Sequence, residues 1–445
     1  MWKRIWYNIP VNSFREVRAL NNLMKLKQNK IFLFFLVTVS LSLLLRCGIY
    51  LYNLHNYGSF TKIKGFEKNK IHKISALESK TRFVNINANQ TIIFSPIFLT
   101  DEQHPDYFNI YLLDNNTKKV VKKHTVIKAG VLYPALLPDN KIYIIAYKAY
   151  YGAHDLSRKD DVYTYDYIND KLIQQEHIKI KNGKTNTLYS VGTNAIIAAS
   201  NNYIFIGHIL CAHDQKVYFT NIVYDINRKE YKKAFDDNGN ITPESIYVLN
   251  NKTFLIYGSN TDLEFYIKRY DAHINKLYAV DIKNNSPFWK QEFLNNATFI
   301  WLDDGLFLFN ENNDNNKKNT DLVLIKIEND TLKPIKKIRY SAQDTNNYLP
   351  LENAVKLNKN QVLFVGGIIS TGWISHINSK QVYLLDIPSS TFIRLNNFPY
   401  KLYTQTLHTL DGNKILLSDG LKCNLGLCTK LFTNSLNNIY LYNGK

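Results

Sequence analysis

From about residue 80 onward, apolar and polar positions recur in a fixed order. An apolar run is followed by a tight turn of Asn, Asp or Gly and a second apolar run. A loop of variable length then leads to a third apolar run, which ends in an acidic residue and another turn. The first two runs read RFVNINANQTIIFS, PALLPDNKIYIIA, AIIAASNNYIFIG, IYVLNNKTFLIYG, TFIWLDDGLFLFN, AVKLNKNQVLFVGG and TLHTLDGNKILLSDG. Their turns fall at Asn89, Asp139, Asn201, Asn250, Asp303, Asn358 and Asp411. The third run reads NIYLLD, VYTYD, NIVYD, LYAVD, VLIKIE, VYLLD and NIYLYN, ending at Asp114, Asp166, Asp225, Asp281, Glu328, Asp386 and Asn443. Asn, Asp and Gly tolerate the positive φ that such hairpin turns demand. A more polar fourth run follows most units, as in KVVKKHTVI, KLIQQEHIKI, FWKQEFL, LKPIKKIRY and TFIRL.

Both series advance by roughly fifty to sixty residues, a spacing suited to large propeller repeats. Four strands per unit, repeated seven times, predict an all-β chain folded as a seven-bladed β-propeller, because no blade buries both of its faces alone. The seventh unit stops at Tyr442-Asn443-Gly444-Lys445, one strand short. The alternating run Ser59–Phe66 precedes the first unit and has no partner within it. Pairing the two closes the ring by an N-terminal strand and removes two exposed sheet edges.

The pattern resembles the kelch family of propellers over about residues 59–445. Blade six matches best, with Gly366 and Gly367 where the kelch double glycine falls. Gly207, Gly258 and Gly420 keep one glycine, Ser95, Ala146 and Asn310 replace it, and Trp289 stands where kelch repeats carry an outer-strand aromatic. Kelch propellers close by splicing strands from both termini, so the resemblance implies the same here. It says little about activity, since propellers host many functions.

Ahead of the repeats, Ile31 to Leu45 reads IFLFFLVTVSLSLLL without a charge, and Arg46 and CGIYLY follow. Through Tyr52 this covers a bilayer of roughly 30 Å at 1.5 Å per residue. Seven basic residues stand before it (Lys3, Arg4, Arg15, Arg18, Lys25, Lys27 and Lys30) against Glu16. The positive-inside rule then gives a cytoplasmic tail at 1–30, a transmembrane signal anchor at 31–52, and an extracytoplasmic propeller at 53–445. No small-residue cleavage site follows the apolar run cleanly. Leu45-Arg46 ahead of Cys47 is unlike a lipoprotein signal.

The chain carries 55 Lys+Arg against 37 Asp+Glu, a net charge of +18, with hydrophobic residues at 45%. That hydrophobic share excludes wholesale disorder. The basic excess opens partnership with anionic polymers or lipid, although solubility alone accounts for such charge in many proteins. No nucleic acid is expected. No P-loop, G-x-S-x-G, H-E-x-x-H or EF-hand loop is present, so no catalytic residue, metal or cofactor is assigned. His208-Ile-Leu-Cys211-Ala-His213 has ligand types that suit zinc but lacks a second Cys/His pair nearby. Cys423 and Cys428 are spaced for a small disulfide loop, or remain as two thiols.

The loops between second and third strands leave one end of a propeller together with the blade-to-blade connections. They carry Tyr151, His154, Asp155 and Arg158 in unit two, His208 and His213 in unit three, Arg269 and Asp271 in unit four, and Trp373 and His376 in unit six. Aromatics and Arg are the usual anchors of interfaces, and loops on a rigid scaffold commonly carry function. The expected function is a membrane-tethered scaffold that binds a protein or polysaccharide at this end. The alternative is a carbohydrate-active propeller enzyme of mutarotase or oxidase type, which would need acidic, basic or metal-binding groups converging on the channel mouth.

Overall fold

The computed structural model describes residues 30–66, 81–97, 107–147, 161–182, 185–213, 216–235, 241–260, 265–282, 299–303, 305–311, 319–328, 330–341, 347–348, 354–366, 368–369, 377–378, 380–399, 402–410, 413–423, 433–435 and 439–444. The chain divides after Gly58 into an N-terminal unit and the unit Ser59–Lys445. Among its described residues the first contains the helix Lys30–Tyr57. Its segment Leu36–Tyr57 is long and apolar enough to cross a membrane. It runs past the expected end at Tyr52.

The second unit is a seven-bladed β-propeller. Blade one is Arg82–Asn87, Gln90–Ile97, Tyr107–Asp114 and Val120–Ile127, from channel to rim. Blade two is Val131–Leu136, Lys141–Tyr147, Asp161–Asp166 and Lys171–Gln174. Blade three is Thr185–Ala199, Tyr203–His213, Lys216–Asp225 and Glu230–Lys233, and blade four is Ile241–Val248, Thr253–Asn260, Phe265–Asp271 and Lys276–Ala279. Blade five is Phe299–Asp303, Leu306–Glu311, Asn319–Glu328 and Thr331–Ser341, and blade six is Ala354–Asn358, Gln361–Val365, Val382–Asp386 and Thr391–Arg394. Blade seven takes Leu402–Leu410, Lys414–Cys423 and Tyr440–Asn443 from one end of the chain and Ser59–Lys62 from the other.

Second strands read as unbroken apolar runs because each blade packs against two neighbours. Ile92 and Phe94 join the cluster shared with blade two, with Ile142 and Ile144. Ile93, between them in sequence, joins Leu416 and Leu441 of blade seven instead. Successive side chains of a strand point to opposite faces, so both parities must be apolar. Ile92, Ile93 and Phe94 are fully buried, worth about 1.5–3 kcal/mol each. Outer strands have solvent on one edge, and Lys171–Gln174 is mostly exposed.

The N-terminal strand pairs beside the last strand, as expected. Ser59 pairs with Asn443, Phe60 with Tyr442, Thr61 with Leu441 and Lys62 with Tyr440. The Ile63 amide continues the ladder to the Ile439 carbonyl at 2.9 Å. The Phe60 ring lies 5.0 Å from Phe398 and 5.1 Å from Tyr442, and Phe66 lies 4.8 Å from Tyr111 of blade one. Gly65 turns the segment at φ 103°, where a Cβ would come 3.2 Å from Val120. Both the left-handed backbone and the close approach favour glycine there.

Blade four differs from the sequence reading. The sequence pattern makes LYAVD, ending at Asp281, its third strand. The third strand is FYIKRYD, which pairs with Thr253–Asn260 and ends at Asp271. LYAVD instead begins in the outer strand Lys276–Ala279, and Asp281–Ile282 pairs in parallel with Thr331–Leu332 of blade five. Both runs alternate and end in Asp, so periodicity does not order them. FWKQEFL and Trp289 lie outside the described residues.

Candidate functional site

Strand direction gives the ring two ends of different character. At one end the first strand turns into the second and the third into the fourth. Here the recurring acid acts as a turn cap. Asp114 Oδ1 accepts from the amides of Asn116 and Thr117 at 2.9 and 2.8 Å. Asp166, Asp225 and Asp271 repeat this two and three residues on. These amide bonds hold the Asp114 and Asp166 carboxyls below their usual range. The turn then closes on a left-handed residue: Lys118, Asp170, Lys229, Asn275 and Ser390 have φ of 61°, 52°, 57°, 55° and 57°. Blade five shortens the turn, with Asp330 at φ 57°.

In three blades this left-handed residue also binds the preceding blade. Asp170 accepts the His124 amide at 2.7 Å and the Tyr165 hydroxyl at 2.8 Å. The Asn275 side chain accepts the Phe235 amide at 3.1 Å and the Tyr270 hydroxyl at 2.6 Å. Asp330 receives the Arg269 guanidinium in a two-pronged pair, Nη2 to Oδ2 at 2.7 Å, and Arg269 also lies over the Tyr278 ring at 4.1 Å. The bond to Asp330 raises the Arg269 pKa further and holds the Asp330 carboxyl down. Arg269 and Asp271 therefore do not lie on a loop between second and third strands. Arg269 ties blade four to blade five, and Asp271 caps a turn at the opposite end.

At the other end the second strand leads to the third, and blades join. Tyr151, His154, Asp155, Arg158, Trp373 and His376 lie outside the described residues, as does Cys428. His208 and His213 both fall on the second strand of blade three, which continues to His213, so His208 lies in a strand, at the irregularity between Ile206 and Ile209, and not on a loop. Additional strands extend this end. Lys179–Asn182 pairs with the start of blade three's first strand, Thr433–Ser435 pairs with the end of blade seven's second strand, and 347–348, 368–369 and 377–378 form a small separate sheet beside blade six.

Two polar features were missed in the sequence. Asp161, at the root of the blade-two loop, is buried and accepts the Tyr163 hydroxyl at 3.0 Å. Burial, reinforced by that carboxylate, pushes the Tyr163 phenol up to about 12. The Asp160-Asp161 pair before an apolar run was the available signal. His408, on the inner strand of blade seven, meets Asn85 Oδ1 of blade one at 2.9 Å and stacks on Phe83 at 5.1 Å. Desolvation holds its imidazole down to about 4, so the ring is neutral at pH 7. A single His in TLHTL gave no sign of this. Near the channel Lys356 also pairs with Asp303 at 2.8 Å, joining blades six and five. Among the described residues no group of three or more His, Cys, Asp and Glu is placed to hold a metal ion.

These features define a seven-bladed β-propeller with an apolar N-terminal helix. No family model and no curated protein matches the chain, so the kelch-type character stays a resemblance in the blade pattern.

Proposed function

We propose that this protein is a membrane-tethered, extracytoplasmic propeller that binds a protein or polysaccharide partner at the end bearing the loops between second and third strands. The observation that carries this reading is the difference between the two ends. One end is made of tight turns in which the recurring Asp and Asn side chains are committed to capping and to blade-to-blade contacts. The added ladders of blades three, six and seven are all at the other. Recognition surface belongs where the chain spends residues beyond those that closure needs. His154, Arg158, Trp373 and His376 supply anchoring chemistry in the same loops.

The tether has its own support. The helix is long enough to span, at roughly 33 Å for 22 residues. The basic flank precedes it, which sets the tail inside and the propeller outside. Gly58 alone separates Tyr57 from Ser59, and Ser59 pairs with Asn443 at the short-turn end.

Partner capture by the full chain tests the reading. Replacing Trp373 and His376 with Ala should release the partner at unchanged melting temperature, since central anchors are worth about 2 kcal/mol or more each. Release by Arg269→Ala, with the loop variant still binding, would reverse the functional end. Compartment reporters placed before the helix and after Lys445 should fall on opposite sides of the membrane, and same-side signals would contradict the tether.

A further inference from the structure

The structure gives the excess positive charge a location. The seven outer strands together hold twelve Lys and Arg and one acidic residue, Glu230, whereas the seven inner strands hold two of each sign. On one part of the rim, exposed basic residues recur along an arc of blades seven, one and two. Lys62 and Lys64 are exposed on and just after the closing strand. That segment lies along blade one through Gly65 against Val120 and Phe66 against Tyr111. Blade one's outer strand and its end present Lys122 and Lys128, both exposed. It is fastened to blade two by the His124 amide on Asp170 and by Lys123 Nζ on the Tyr167 carbonyl at 2.9 Å. Lys171 of blade two, also exposed, continues the arc. Asp170 beside it is occupied by its own hydrogen bonds, and Glu176 lies past the end of the strand.

We propose that this rim is a second binding surface, for a linear acidic polysaccharide that follows the arc across blades seven, one and two. Three observations favour that ligand. The arc is long and one-signed, which suits repeated anionic groups. It runs around the outside of a ring, so a flexible polymer can track it where a flat lipid surface could not. The outer strands of blades one and two contain no Phe, Tyr or Trp, and Phe60 and Phe66 of the closing segment pack against other rings. The stacking platforms that hold single-stranded nucleic acid are therefore missing from the arc. Lys62, Lys64, Lys122 and Lys171 lie on or beside outer strands and Lys128 at the join of blades one and two, and the proposal does not depend on what the loop-bearing end binds.

The full chain in detergent is titrated with heparin, polygalacturonate and single-stranded RNA at several salt concentrations. The triple variant Lys64→Glu, Lys128→Glu, Lys171→Glu should weaken heparin binding at least about tenfold and flatten the slope against log salt by about two, taking roughly 0.7–0.9 per lost contact. The triple variant Lys229→Glu, Lys252→Glu, Lys359→Glu makes the same change in net charge at exposed turns and should stay within about twofold. Gln in place of Glu on the arc should give a smaller loss in the same direction, which guards against misfolding of the reversed variant. Equal losses from the two triples would overturn the proposal, because charge alone would then explain binding. Absence of heparin binding at low salt, or tighter binding of RNA than of either polysaccharide, would overturn it as well.

Discussion

Blade two and blade seven have the same four-stranded plan but are held together differently. Blade two is contiguous from Val131 to Gln174. Its outer strand is delivered by a four-residue turn capped by Asp166 and fastened by Asp170. It needs little packing of its own and has the mostly exposed pattern of KLIQ. Blade seven has no such turn, because its outer strand comes from the other end of the chain. There the ladder is joined by the rings of Phe60 and Phe66 and by buried Ile63. A hairpin closes a short loop at modest entropic cost, whereas joining distant segments costs more. Side-chain adhesion supplies the difference. Both solutions leave similar ladders, so the contrast shows only when strands are removed.

The largest effect should come from replacing residues 59–66 with eight alternating Gly and Ser. Losing Phe60, Ile63 and Phe66 from their packing should cost up to about 4.5–9 kcal/mol, at roughly 1.5–3 kcal/mol per fully buried side chain, and ring cooperativity with it. The melting temperature of the full chain reports it. The same treatment of 171–174 in blade two should cost clearly less, and equal losses would break the comparison. Next is Leu441→Ala, a fully buried residue where blade seven meets blade one. Denaturant unfolding should show a loss of about 2–5 kcal/mol.

His408 at the same seam adds a pH dependence. Its folded pKa of about 4 lies below the ordinary value of 6.5. The unfolded state therefore binds the proton more readily between those values. The stabilisation is fully present above about pH 6.5 and is lost as pH falls toward 4, amounting to about 3 kcal/mol at most. His408→Gln should flatten that window in melts across pH. An unchanged pH profile would place the titration elsewhere. The smallest effect belongs to Arg269→Ala at the blade four–five seam, about 1–2 kcal/mol for a two-pronged, partly exposed pair with a stacked ring. Asp330→Asn should reproduce most of it.

Much of the ring was legible in the sequence because its signals are local and repeated. Seven paired apolar runs, their Asn and Asp turns and the recurring terminal acid follow from backbone requirements that every blade shares. The missing last strand and the orphan run at Ser59 were legible for the same reason. Blade four misled because KRYD and YAVD carry one pattern, and a period of two does not number strands. Arg269 and Asp271 were misplaced with it. The seam contacts of His408 with Asn85 and Arg269 with Asp330 join residues 323 and 61 positions apart, and no spacing rule connects such pairs. His208 read as a loop residue because the strand continues past the blade to His213.

Closure in register is the claim on which the rest depends, and cysteine cross-linking tests it most directly. Ser59→Cys with Asn443→Cys places two thiols on directly paired residues, within the Cα separation of roughly 4.4–6.8 Å that a disulfide spans. Lys62→Cys with Asn443→Cys is three residues out of register, about 10 Å along the strand. Mild oxidation of the full chain, read by peptide mass spectrometry, should give the 59–443 link and not the 62–443 link. Failure of the first pair to cross-link, or equal yields from both, would contradict a propeller closed by its N-terminal strand.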